Sequence, residues 1–140
     1  MTKDVLITIS GLQFEVDSEN VLEIVSRGEY YFRNGKHFLI YEEISEEEQQ
    51  VSKCVLKVSE NVVELTKKGS TNVHLLFEKN KSNMTYYNTP FGELILGVAT
   101  RDIDLFVSED SLDLKLNYTL DMNYQHVSEC ELTVKTENIV

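Results

Sequence analysis

From Leu112 to Tyr124 every even position is apolar or aromatic and every odd position is polar. Leu112, Leu114, Leu116, Tyr118, Leu120, Met122 and Tyr124 alternate with Asp113, Lys115, Asn117, Thr119, Asp121 and Asn123. A β-strand sends successive side chains to opposite faces, so this run predicts a strand with one face in a core and one in water. Thirteen residues at ~3.3 Å each would span ~43 Å, against ~17–20 Å for an ordinary strand. A strand that long must bend with a curved sheet.

The same period recurs along the chain. Val5, Ile7 and Ile9 share one parity, and Leu12, Phe14 and Val16 share the other. The phase flips around Ser10-Gly11, where one extra residue in a β-bulge re-aims the side chains that follow. Leu22, Ile24, Tyr30 and Phe32 fall on one face, with Glu23, Arg27, Glu29 and Arg33 on the other. Asn34-Gly35 follows, a pair that supplies two positive-φ residues for a type I′ hairpin turn. Further strands are expected over Val51–Ser59, Val62–Lys67, Val73–Glu78, Met84–Thr89 and Val127–Val134. Phe91–Thr100 and Asp102–Val107 read as one long or broken strand. The intervening Glu60-Asn61, Gly69-Ser70-Thr71 and Asn80-Lys81-Ser82-Asn83 read as turns, and Glu42–Gln50 as a charged loop.

The Asn34-Gly35 hairpin sets two signals against each other. A two-residue turn pairs Arg33 with Lys36 and puts Leu39 and Tyr41 on the face of Tyr30 and Phe32. Phe38 and Ile40 then join the charged face. A three-residue loop with a bulge reverses that choice. The two-residue turn is favoured, and it leaves apolar groups on both faces. The second face then needs a cover, from the chain itself or from another subunit.

About ten strands, short turns, no sustained helical period and a single proline (Pro90) predict an all-β fold. An antiparallel, mostly up-and-down barrel of 8–10 strands is preferred to a sandwich, because closure removes sheet edges. At 140 residues the chain reads as one domain, 1–140, large enough to hold a core without metal or disulfide staples. Hydrophobic residues at 41% and charged residues at 26% match an ordinary globular protein.

Thirteen Lys and Arg against 24 Asp and Glu give a formal net charge of −11. That acidity argues against nucleic acid and anionic membrane surfaces as partners, since both need a basic face. No run approaches the ~20 apolar residues of a membrane helix. The first residues lead straight into strand alternation rather than into a signal-peptide core, so the expected location is the cytoplasm. Cys54 and Cys130 both sit in apolar alternation and are expected to be reduced core residues.

Chemical motifs are sparse. The sequence holds no G-x-G-x-x-G, P-loop or G-x-S-x-G. His37, His74 and His126 show no metal-binding spacing, and the acidic run Glu42–Glu48 lacks the ligand alternation of a calcium loop. No metal site, cofactor or catalytic residue is therefore assigned, and the chain is not expected to be an enzyme. Glu43 is the exception of interest. The two-residue turn points it inward beside Tyr41, where a carboxylate orients a ligand, acts as a general base or accepts hydrogen bonds from tyrosines; an enzyme acting through Glu43 and nearby tyrosines ranks last, since no nucleophile, metal or cofactor motif supports it. The seven tyrosines fall in strands; inside a barrel they either line a small cup or fill it.

Gly11-x-Gln13, Gly28-x-Tyr30-Tyr31-x-x-Asn34-Gly35 leading into Tyr41-Glu42-Glu43, and Tyr87-x-Thr89-Pro90-x-Gly92 resemble the YwiB-like family. These are small bacterial proteins grouped as a domain of unknown function. The resemblance spans Asp4 to about Val134 and implies a calycin-like barrel, as in lipocalins; it implies no activity. Two expectations follow. One is non-catalytic binding of a small amphipathic ligand in the barrel interior, with Tyr30, Phe32, Tyr41 and Tyr118 as walls and Glu43 orienting it. The other is a filled barrel acting as an interaction module, a homodimer through the Tyr31/Phe38/Ile40 face.

Overall fold

A computed structural model describes residues 1–12, 22–45, 50–69, 72–89 and 92–139. Ten strands follow in chain order: β1 (Asp4–Leu12), β2 (Leu22–Arg33), β3 (Lys36–Ser45), β4 (Gln50–Val58), β5 (Val62–Lys68), β6 (Val73–Glu78), β7 (Lys81–Thr89), β8 (Gly92–Val107), β9 (Ser111–Met122) and β10 (Gln125–Asn138). They form one antiparallel sheet in the order β6-β5-β4-β3-β2-β1-β10-β9-β8-β7, rolled into a nearly closed barrel. Every strand except β6 pairs with its successor in the chain. The ring is joined by β1 against β10, and its seam falls between β6 and β7.

Alternation becomes burial as the sequence predicts. Leu112, Leu114, Leu116, Tyr118, Leu120 and Met122 of β9 point inward and are buried, while Asp113 and Lys115 stay in water. Val5, Ile7 and Ile9 of β1, Leu39 and Tyr41 of β3, and Leu132 and Val134 of β10 join that core, with further residues from β4, β5, β6 and β8. Each fully buried aliphatic contributes about 1.5–3 kcal/mol.

The curvature has local causes. Gly11 at φ 83° sits at a register shift between Ser10 and Leu12, the expected bulge. A Cβ there would run into the Glu131 carbonyl of β10, so glycine is required on steric grounds as well. Two further bulges, between Thr100 and Asp102 and between His126 and Ser128, bend the 16-residue β8 and the 14-residue β10. Phe91–Val107 is thus one strand from Gly92 onward, bent at Arg101.

The hairpin takes the two-residue turn. Arg33 pairs with Lys36, Asn34 and Gly35 have φ of 53° and 74°, and Tyr30 stands opposite Leu39. Three expectations need correction. Tyr124 is not the last inward residue of β9. It joins Asn123 in a second positive-φ turn, where the Asn123 Oδ1 accepts the Ile95 N–H, and Tyr124 lies 75% exposed. The β6–β7 turn is Lys79-Asn80 alone, because Asn80 takes the positive φ and Lys81–Asn83 already pair with β8. The charged loop is shorter than Glu42–Gln50, because β3 pairs with β4 through Ser45 and Gln50. Phe14, Val16, Glu46–Glu48 and Pro90 lie outside the described residues.

The connectivity gives the barrel two unlike ends. Tight turns at Asn34-Gly35, Glu60-Asn61, Lys79-Asn80 and Glu109-Asp110 occupy one. The other gathers the strand ends at Leu12, Leu22, Ser45, Gln50, Lys68, Val73, Thr89 and Gly92, together with one tight turn, Asn123-Tyr124.

Candidate functional site

The inner face of β3–β5 changes character toward the second end. Leu39, Leu56 and Leu65 form an apolar row, and the next row is Tyr41, Cys54 and Lys67. The row after that pairs Glu43 with Ser52. Strand parity therefore turns a carboxylate and an ammonium inward, and they meet: Glu43 Oε2 lies 3.4 Å from Lys67 Nζ. The side chains keep 33% and 19% of their exposure, so water still reaches both, and a pair of this kind contributes about 0–1 kcal/mol to stability.

Cys54 and Tyr41 sit beneath the pair. The Cys54 thiol points at Glu43 Oε2 at 3.9 Å. Burial and the Glu43 charge push that thiol up to about 11, against a smaller opposing pull from Lys67. Burial also drives the Tyr41 phenol far above its ordinary value, with Cys54 and Glu43 adding to the effect. At neutral pH both are hydrogen-bond donors without nucleophilic character.

A notch opens beside this cluster. The β2–β3 ladder stops at Gly28 opposite Tyr41, although both strands continue. The next inward positions, Ser26 and Glu43, fall on separated arms of the fork. An open groove of about 450 Å³ lies at the fork, lined mainly by outward-facing residues such as Arg27, Ile40, Glu42 and Lys53, and it touches the cluster at Tyr41 rather than at Glu43 or Lys67. Gly28 has no room for a side chain, since a Cβ would meet the Ile40 carbonyl and the Ile7 side chain.

The sequence-derived residues divide among three places. Tyr41 and Glu43 belong to the cluster. Tyr30 and Phe32 lie near the tight-turn end around His37: the Tyr30 hydroxyl and His37 Nδ1 share a hydrogen bond of 2.6 Å, and Phe32, 58% exposed, has its ring 4.8 Å from the imidazole. Burial lowers the His37 pKa and raises that of Tyr30, so it favours the neutral form of both groups. Tyr118 is 2% exposed inside the barrel, edge-on to Phe77 with ring centroids 4.9 Å apart.

Sequence reasoning missed Ser52 and Lys67. Both share parity with apolar neighbours, Cys54 and Leu56 in β4, Val63 and Leu65 in β5. That parity was the available signal, but in Lys67-Lys68 either lysine could have faced inward. Cys54 and Cys130 are both buried and unbridged. Among the described residues no group of three or more potential metal ligands occurs.

On the outer face of the β2–β3 hairpin two aromatic rings carry cations, one from the hairpin and two from neighbouring segments. Lys3 and Arg33 lie over the Tyr31 ring at 5.8 and 5.7 Å, and Lys57 lies 5.7 Å from the centroid of Phe38.

Residues 7–134 match the family described as "Domain of unknown function (DUF1934)". The chain belongs to the DUF1934 family. A DUF1934 relative, the uncharacterized beta-barrel protein YwiB of Bacillus subtilis (strain 168), is 26% identical over 120 residues, 86% of this chain and 83% of that one. The crystal structure of the ywiB protein from Bacillus subtilis matches this barrel with a TM-score of 0.80 at 24% identity, covering 99% of this chain and 93% of that one. The fold is thus a β-barrel, shared with that structure.

Proposed function

We propose that this DUF1934 barrel is a cytoplasmic, non-catalytic binding protein for a small amphipathic ligand. The ligand occupies the fork between β2 and β3 and reaches Tyr41, Glu43 and Lys67. The observation that carries the reading is the inward ion pair. Charged groups on the core side of a barrel are costly unless paired or serving a bound partner, and this pair adds little stability at its exposure. A paired acid and base beside a buried phenol suit a ligand with a polar head, and Tyr41 with the aliphatic stem of Lys67 suits its apolar body. The groove at the fork, about 450 Å³, lies in the range of small-molecule sites and meets the cluster at Tyr41, from which a ligand would have to reach inward to Glu43 and Lys67. Tyr30, Phe32 and Tyr118 lie apart from Glu43 and play no direct part in this version of the site.

The test is native mass spectrometry of protein purified gently from its own host, with Glu43→Gln and Lys67→Met alongside. An extra mass on the folded protein, lost on denaturation and depleted in both variants while their melting stays near wild type, supports the proposal. A bare protein, or an adduct retained equally in both variants, overturns it.

A further inference from the structure

We propose that the outer face of β3–β5 binds a small phosphate monoester, with the phosphate between Lys53 and Lys68 and an apolar body over Val55 toward Phe38. A groove of about 450 Å³ runs there, a volume in the range of small-molecule sites. Strand parity builds it. Ser52, Cys54 and Leu56 turn inward and are buried, so Lys53, Val55 and Lys57 project outward from β4, with Thr66 and Lys68 beside them on β5. Half-buried Val55 and Phe38 give an apolar floor, and Lys57 leans over the Phe38 ring, 5.7 Å from its centroid.

Lys53 stands directly opposite Lys68 in the β4–β5 register. Residues so placed have Cβ atoms about 4.5–5.5 Å apart, where like charges repel. Among the described residues Lys53, Lys57 and Lys68 make no ion pair. Glu64, the carboxylate of the groove, lies 3.0 Å from His74 Nε2 instead. Glu42, across the other ladder from Lys53, lines the fork. An anion between the two ammonium groups turns their repulsion into attraction.

Charge selects both the groove and its ligand. Three lysines against Glu64 leave an excess of +2 in a chain of net charge −11. The groove along β8 and β9, about 630 Å³, sets Lys79 and Lys115 against Glu60, Asp104 and Asp113. The fork sets Arg27 and Lys53 against Glu29 and Glu42. Neither holds surplus cations. A phosphate monoester near neutral pH carries about −1.5 to −2, which matches the excess, whereas one carboxylate matches half of it. Lys53 and Lys57 are about 13 Å apart along β4 at ~3.3 Å per residue, room for a phosphate and a flat apolar body. The groove meets the fork at Lys53, but Lys57 and Lys68 line the groove and not the fork.

Naphthyl phosphate is the probe, titrated into isotope-labelled protein at pH 7.5 and followed by amide chemical shifts. Binding with a Kd of about 1 mM or tighter is expected, with the largest shifts at Val55, Lys57 and Thr66. Lys57→Gln with Lys68→Gln should weaken it at least about tenfold while melting stays near wild type, because two of the three cations are gone. Glu43→Gln should leave it unchanged. Naphthol and inorganic phosphate should each bind at least about tenfold more weakly, since one lacks the charge and the other the apolar body. Vesicles containing phosphatidic acid test a lipid headgroup as the source and should not retain the protein. No binding of the probe, shifts confined to the fork or the barrel interior, an affinity indifferent to the two lysines, naphthol or inorganic phosphate bound as tightly, or retention on the vesicles overturns the proposal. None of these outcomes depends on whether the fork binds a ligand.

Discussion

Two walls of the barrel interior obey the same alternation and end differently. On β9 the inward face is Leu112, Leu114, Leu116, Tyr118, Leu120 and Met122, apolar or aromatic throughout. On β3–β5 the inward face begins as Leu39, Leu56 and Leu65, then becomes Tyr41, Cys54 and Lys67, then Glu43 and Ser52. Alternation decides which side chains face inward. It does not decide what those side chains are. The β9 wall follows the solvation rule to its end and is read most simply as structure. The β3–β5 wall departs from it in its last two rows, beside the fork between β2 and β3, and that departure marks the candidate site.

The contrast can be broken from the apolar side. Leu116 is fully buried on β9. Leu116→Ala should cost about 2–5 kcal/mol in urea unfolding, because the surrounding sheet cannot collapse into the space. A loss under 1 kcal/mol would mean that the β9 wall is no better packed than the polar one.

Thiol chemistry sharpens the comparison next. With Cys54 held up to about 11, its reaction with iodoacetamide at pH 8 should be about 100-fold slower than that of an unperturbed cysteine. Glu43→Gln should speed the reaction and Lys67→Met should slow it, since the two charges act on the thiol in opposite directions. A Cys130→Ala background isolates the signal. Rates that ignore both variants would separate Cys54 from the pair.

A smaller effect is expected for the pair itself. Glu43→Leu combined with Lys67→Met converts the polar row to an apolar one. Its unfolding free energy should match or exceed wild type, and either single change should move it by about 1 kcal/mol or less. A double variant far less stable than wild type would make the pair a stability device.

Much of this contrast is legible in the sequence. The inward set of β9, the Gly11 bulge, the Asn34-Gly35 turn and the inward aim of Glu43 all follow from period two and turn chemistry. The fork and the seam do not, because alternation says nothing about where a ladder stops. Tyr124 was misplaced for a related reason. The last residue of an alternating run can belong to the turn, and a carbonyl or amide elsewhere decides it, here the Ile95 N–H held by Asn123.

The smallest expected effect lies near the tight-turn end. Burial lowers the His37 pKa below its ordinary 6.5, so the folded protein takes up this proton less readily than the unfolded chain. The stability that His37 contributes is complete above the unfolded value and is lost as pH falls below it. Urea midpoints should therefore decline from pH 7.5 to 5 by more in wild type than in His37→Gln, where an amide can still hydrogen-bond the Tyr30 hydroxyl. Parallel profiles would remove His37 from the acid response.

The seam between β6 and β7 also bears on how the chain reaches this shape. Eight of the nine ladders join strands adjacent in sequence, so each can form by local zippering. The ninth, in which Val5 meets Asn138 and Ile9 meets Val134, links opposite halves of the molecule. Six strands can therefore assemble as one meander and four as another, with a single distant closure to join them. That closure carries the loop entropy of the whole ring, so the folding rate should respond most to substitutions along β1 and β10.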